Sequence, residues 1–285
     1  MIMAQLKKFR EKFSRMDLMV ISAFVIVVTT VPLIWPIGLP VPVTATTEVV
    51  YKKVESLPPG GVVVVGLDCS PAGWSEVEPA SRAVMQHLFT KPVKIVIVAF
   101  YSPMGAQLAE SLLSNIDKGT KRYGVDYVNL GYFPGEEVAK AGFAADVHKI
   151  APKDFYGTNI EQLPIMGSIK SAKDIAFYIT ITDYETGVEQ YTRQIVSPYN
   201  IPLALIIGAG SSATMAPYLR SGQVIGAVFG LQGGGEYEVL TKRPGIALKE
   251  TDALSLTALL SVIFIFIGNG VHFAKKIFPE HGGAN

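Results

Sequence analysis

Two apolar stretches without a formal charge, residues 18–37 and 254–273, bracket this 285-residue chain. At ~1.5 Å per helical residue, each is long enough to reach across a bilayer core of ~30 Å. A chain bounded in this way is expected to fold as a domain held at a membrane surface by both of its ends. The sequence between the stretches is mixed in character and long enough to bury a core as one domain.

The flanks predict the orientation. The first 16 residues, MIMAQLKKFREKFSRM, place Ile2, Leu6, Phe9, Phe13 and Met16 at helical spacing, with Lys7, Lys8, Arg10, Lys12 and Arg15 between them. Such a segment is either an interfacial helix on an anionic inner leaflet or a cytoplasmic extension of the first span. These basic residues, with Lys275 and Lys276 directly after the second stretch, favour cytoplasmic positions for both termini. Lys52 and Lys53 oppose this only weakly, because long translocated domains are largely exempt from the charge rule. The first stretch exceeds the roughly 7–15-residue core of a secretory signal, and Thr44-Ala45-Thr46 is a poor cleavage sequence, so an uncleaved anchor is expected. Asn269 and His272 fall near the inner end of the second stretch, where Asn269 either reaches the headgroups or contacts another helix.

Between the stretches, strand-like and helix-like segments alternate. Residues 62–67, 94–100, 126–130, 175–182 and 202–207 read as strands, and 223–229 as a sixth strand or an edge segment. Helices are expected over 75–89, where Ser75-Glu76-Val77-Glu78 has capping-box form, and from Ser102-Pro103 to 118. Further helices are expected over 136–149, 187–195, up to Arg220, and over 235–240. Pro40, Pro42, Pro58 and Pro59 mark an extended linker with a short strand at 46–51, and Gly233-Gly234-Gly235 marks a loop before a helix.

This alternation predicts an α/β fold: a single Rossmann-like or flavodoxin-like three-layer domain with a mainly parallel sheet, flanked by two transmembrane helices. The expected organisation is a basic cytoplasmic helix (1–17), a first transmembrane helix (18–39) and a linker (40–60). An extracytoplasmic α/β domain (61–241) and a second linker (242–252) follow, then a second transmembrane helix (253–274) and a cytoplasmic tail (275–285). The expected location is the cytoplasmic (inner) membrane.

Few residues point to chemistry. A net charge of +1 argues against a nucleic-acid binder. The single cysteine, Cys69, excludes an intrachain disulfide and a cysteine-based metal cluster. His87, His148, His272 and His281 show no metal-ligand spacing, so neither a metal nor a cofactor is expected. Ligands in such sheets bind beyond the carboxyl ends of the strands, which makes Asp68, Ser102, Asp183, Gly208, Gly210, Ser211 and Ser212 the candidate ligand-binding residues. The Gly208–Ser212 turn would present backbone N–H groups to an anion, although it lacks the full GxGxxG and the GK[ST] of a phosphate loop. Capping and turn formation explain the same residues equally well. Cys69 would serve as a nucleophile only with a base or an electropositive setting beside it.

Two segments carry a resemblance. Residues 94–118, with IVIVAFYSPMGAQLAESLLSNIDK, resemble the first strand and helix of type I periplasmic sugar-binding proteins. Gly222-Gln223-Val224-Ile225-Gly226-Ala227-Val228 is similar to a late strand segment of that family. The resemblance implies a Rossmann-like lobe. The chain has room for one lobe and carries a second apolar stretch, so no ligand residue is transferred.

Double anchoring without a catalytic constellation leads to an expectation of a non-enzymatic membrane subunit or scaffold. Its domain would mediate assembly, its partners being the lipid bilayer and either its own copies or other membrane-complex subunits. The alternative is a tethered ligand-binding or sensory domain that uses the strand ends. A Cys69-dependent enzyme is the third reading.

Overall fold

A computed structural model describes residues 18–277. It forms two compact units, one over residues 40–248 and the other from the described parts of 1–39 and 249–285. The expected basic helix (1–17) and the last eight residues lie outside the described residues.

The larger unit is built on strands β1 (Val62–Asp68), β2 (Lys94–Ala99), β3 (Tyr127–Tyr132), β4 (Ile175–Thr182), β5 (Leu203–Ile207) and β6 (Gly226–Phe229). They form one sheet in the order β3-β2-β1-β4-β5-β6, and every neighbouring pair is parallel. The chain builds outward from β1 to β3, then returns past β1 to start β4 on its other side. This is the Rossmann order rather than the flavodoxin one. Every residue of β1 and β5 is buried, because a run such as VVVVGLD is stable only when both faces are covered.

Each face has its own core. Val63, Val65 and Leu67 point to α2 (Ala45–Glu55), α3 (Pro71–Thr90), α4 (Pro103–Ser114) and α10 (Gly230–Thr241). Val62 and Val64 point to α5 (Glu136–Ala145), α6 (Val147–Ile150), α7 (Glu185–Tyr191) and α9 (Ser212–Arg220). The short α8 (Ser197–Tyr199) ends at Asn200, in a left-handed conformation.

Several local expectations are corrected. Residues 46–51 are helical, within α2 rather than a strand or linker: Thr47, Val50 and Val54 are buried at i, i+3 and i+7, which is a helix face. Helix α3 starts at Pro71 under a Ser70 cap that accepts from Gly73 N, so Ser75 lies inside the helix. Helix α4 stops at Ser114, and Asp146 divides the expected 136–149 helix by capping α6. Gly233, Gly234 and Gly235 are buried inside α10, not in a loop. A Cβ on Gly234 would lie 3.0 Å from Ala80 Cα, so the glycine permits close contact between α10 and α3.

In the smaller unit, α1 (Leu18–Ile34) is apolar, and α11 (Ile246–Ile277) begins in the larger unit and continues through the second apolar stretch. Among the described helices, α11 is long and apolar enough over residues 246–273 to cross a membrane. The apolar part of α1, Val20–Ile34, falls short of that length, so the expectation of two such helices is met by one. The helix ends ahead of Pro36, whose ring disfavours helical geometry in the preceding residue, and this removes Trp35–Ile37 from the first stretch. The expected linker at 242–252 is largely helical, because α11 starts at Ile246. The buried carboxylate of Asp252 accepts the N–H groups of Ile37 (2.9 Å), Gly38 (2.9 Å) and Leu39 (3.1 Å).

Candidate functional site

Open parallel sheets take ligands where the strand order reverses, here beyond β1 and β4. Asp68, the last residue of β1, is fully buried there. Its Oδ1 accepts from Phe100 N (2.6 Å) and Tyr101 N (3.0 Å), and its Oδ2 from Tyr191 Oη (2.6 Å). Lys140 Nζ lies 3.5 Å from Oδ2, with both side chains fully buried. The ammonium also donates to Gln190 Oε1 (2.7 Å) and sits over the Tyr191 ring, 4.7 Å from its centroid. Burial pushes the Lys140 pKa down, and the neighbouring Asp68 opposes that shift. Tyr101 stacks on Tyr184 at a centroid distance of 4.2 Å, and Tyr184 Oη is 3.5 Å from Lys140 Nζ. The interior continues with Thr180 Oγ1, which is buried without a hydrogen-bond partner among the described residues.

The other candidates are engaged in local structure. Asp183 accepts from Ser70 N and from the Ser70 hydroxyl, steadying the entrance to α3. Ser102 caps α4 by accepting from Met104 N at 3.2 Å. At the Gly208 turn, Ala209 N donates 2.7 Å to Glu76 Oε1, so a carboxylate of the chain itself holds an amide that an anion would seek. Gly210 faces open space, and Ser211 supplies no side-chain cap to α9. Ser212 lines a separate cavity of about 210 Å³ with Thr44, Gln232 and Glu236. The structure therefore brings Asp68 and Asp183 to the ends of two neighbouring strands, each engaged by its own donors.

Cys69 is buried, and its pKa is pushed well above the ordinary thiol value, first by burial and then by Asp183 and Asp68. A nucleophilic thiolate needs the opposite shift. Among the described residues, no group of three His, Cys, Asp or Glu side chains could hold a metal ion.

Lys140, Tyr191, Gln190 and Glu76 were not identifiable as partners from sequence position alone. Lys140 did carry a signal: it interrupts the stripe formed by Ala139, Phe143 and Ala144 on the buried face of α5. A lysine in such a stripe requires a buried counter-charge. A wider groove of about 400 Å³ lies at the end of β3, lined by Gln107, Gly131, Tyr132, Phe133, Asp154 and Phe155 among others. No protein-family model, curated protein or solved structure matches the chain significantly.

Proposed function

We propose that this chain is a non-enzymatic subunit or scaffold of the cytoplasmic membrane, anchored by α1 and α11, whose α/β domain mediates protein assembly on the outer side. The observation that carries this reading is the state of the strand ends. Four backbone N–H groups suited to anion binding are taken by three carboxylates of the chain: Phe100 and Tyr101 by Asp68, Ser70 by Asp183, and Ala209 by Glu76. A Rossmann-like sheet filled in this way keeps its architecture but gives up its usual ligand position. The apolar α11 supplies an anchor, and the Asp252 contacts with residues 37–39 favour two apolar helices that leave the bilayer on the same side.

Mild detergent extraction of the full chain tests this reading, with native mass measurement of the particle. A homo-oligomer or a stoichiometric complex is expected; a bare monomer that recovers no partner overturns it. Orientation is checked with Ser221→Cys, an exposed position in a chain whose native thiol is buried. An impermeant maleimide should label it in intact cells.

A second reading, a tethered ligand-binding domain, is favoured by the groove at β3, whose volume falls within the ~300–1,000 Å³ range of small-molecule sites. A thermal shift of the full chain with a ligand panel, abolished by Gln107→Trp at the exposed rim of the groove, would support it over the scaffold.

A further inference from the structure

Away from the switch point, a chain of hydrogen bonds joins three helices. His87, buried on α3, has Nε2 2.7 Å from Glu55 Oε1 on α2 and Nδ1 2.9 Å from Tyr237 Oη on α10. Tyr51, also on α2, stacks on the imidazole at 5.2 Å. A carboxylate only accepts, so in the neutral ring Nε2 carries the hydrogen and the Tyr237 hydroxyl donates to Nδ1. Protonation of Nδ1 places a second hydrogen in that contact. The buried phenol must then rotate and give up its donor role there.

Tyr237 immediately precedes Glu238. The Glu238 carboxylate accepts the N–H groups of Gly245 (2.7 Å), Ala247 (3.1 Å) and Leu248 (2.9 Å), at the start of α11. Two adjacent residues of α10 thus face in two directions, one tied to a titratable ring and the other to the first turn of the long apolar helix. A cavity of about 200 Å³, lined by His87, Arg82, Gln86, Glu238 and Arg243, gives solvent a route to the ring.

We propose that the Glu55–His87–Tyr237 chain is a proton-operated latch, which secures the first turn of α11 while His87 is neutral and loosens it when His87 is protonated.

The charged surroundings of the ring come from every element packed on it. Glu55 on α2 favours the imidazolium, while Lys91 after α3 and Arg243 after α10 oppose it. Lys91 is itself held 2.7 Å from Glu55, and Arg82 on α3 is paired with Glu78. Burial is the largest influence and lowers the His87 pKa below its ordinary value. A base depressed in the folded state stabilises the fold when neutral. That contribution is complete above the unfolded pKa of about 6.5 and is lost as pH falls through the folded value.

The test uses the full chain in detergent micelles from about pH 7.5 to about pH 5, following the imidazole by NMR and the Gly245, Ala247 and Leu248 amides by hydrogen exchange. Protection of these amides is expected to fall about tenfold in step with His87 protonation. Tyr237→Phe should leave His87 titrating but remove the loss of protection, and His87→Gln should give flat protection. The latch is overturned if wild-type protection stays level while His87 titrates, if Tyr237→Phe responds like wild type, or if His87 remains neutral throughout. Each of those results leaves the subunit reading untouched.

Discussion

Asp68 and Lys140 form a pair with unequal dependence. Without Lys140, the Asp68 carboxylate keeps two backbone N–H groups and the Tyr191 hydroxyl. Without Asp68, those three donors lose their acceptor and a fully buried ammonium loses its counter-charge, keeping Gln190 Oε1 as its hydrogen-bond partner. Asp68→Ala should therefore cost about 3–5 kcal/mol, in the range for breaking a buried pair, and Lys140→Met less than half of that. Chemical denaturation of the two variants in micelles measures the difference, and equal costs would contradict the asymmetry. Thr180 offers the converse case. Its hydroxyl is buried without a partner among the described residues, so Thr180→Val should raise stability by about 1 kcal/mol. The position of Asp68 was legible in the sequence because a strand end is marked by its aliphatic run. Its partners were not, because Lys140 and Tyr191 reach it only through a strand order that no local pattern encodes.

At the scale of elements, glycine and threonine carried the misleading signals. The run Gly233-Gly234-Gly235 has poor helix propensity and reads as a break, yet it lies in α10 where the helix meets Ala80 and Ala247. Close packing outweighs propensity here. Gly234→Ala should improve helix propensity while forcing α10 away from α3, with a net loss of about 1–3 kcal/mol in thermal unfolding. Stabilisation by this substitution would show that the contact is slack. The β-branched residues of Ala45–Glu55 suggested a strand for a related reason. Their burial at helical spacing decides the outcome, and α2 covers β6 at the sheet edge, with Val50 and Thr46 against Gly226. Five strands were legible from their apolar runs and bounding turn residues, whereas β6 read as either a sixth strand or an edge segment. Glu238 links elements more directly. Glu238→Gln keeps one acceptor oxygen, enough for part of this set, whereas Glu238→Ala removes both, so the alanine variant should speed exchange of the Gly245, Ala247 and Leu248 amides more than the glutamine variant does.

For the whole molecule, acid stability reflects carboxylates engaged in the fold. Arg193, followed by Gln194, holds Glu137 down to about 2, so its contribution is present above the ordinary carboxylate range and is lost as pH falls toward that value. Glu137→Gln should remove that limb from the unfolding profile between about pH 4.5 and about pH 2, lowering stability at neutral pH and leaving it unchanged at the acid end of the window. The order β3-β2-β1-β4-β5-β6 has a further consequence for how the chain is made. The central strand β1 emerges first, and its second neighbour, β4, comes only after two crossovers and a long irregular segment. Until then one edge of β1 stands open. Asp68 also waits for Tyr191, 123 residues later in the chain. A growing chain therefore passes through a three-stranded half-sheet with an exposed aliphatic edge and an incompletely satisfied carboxylate, the kind of species that pairs with the wrong neighbour. Synthesis stalled before β4 should yield aggregates, and release beyond β5 should yield a protease-resistant core, so the order of emergence from the ribosome is itself a constraint on this fold.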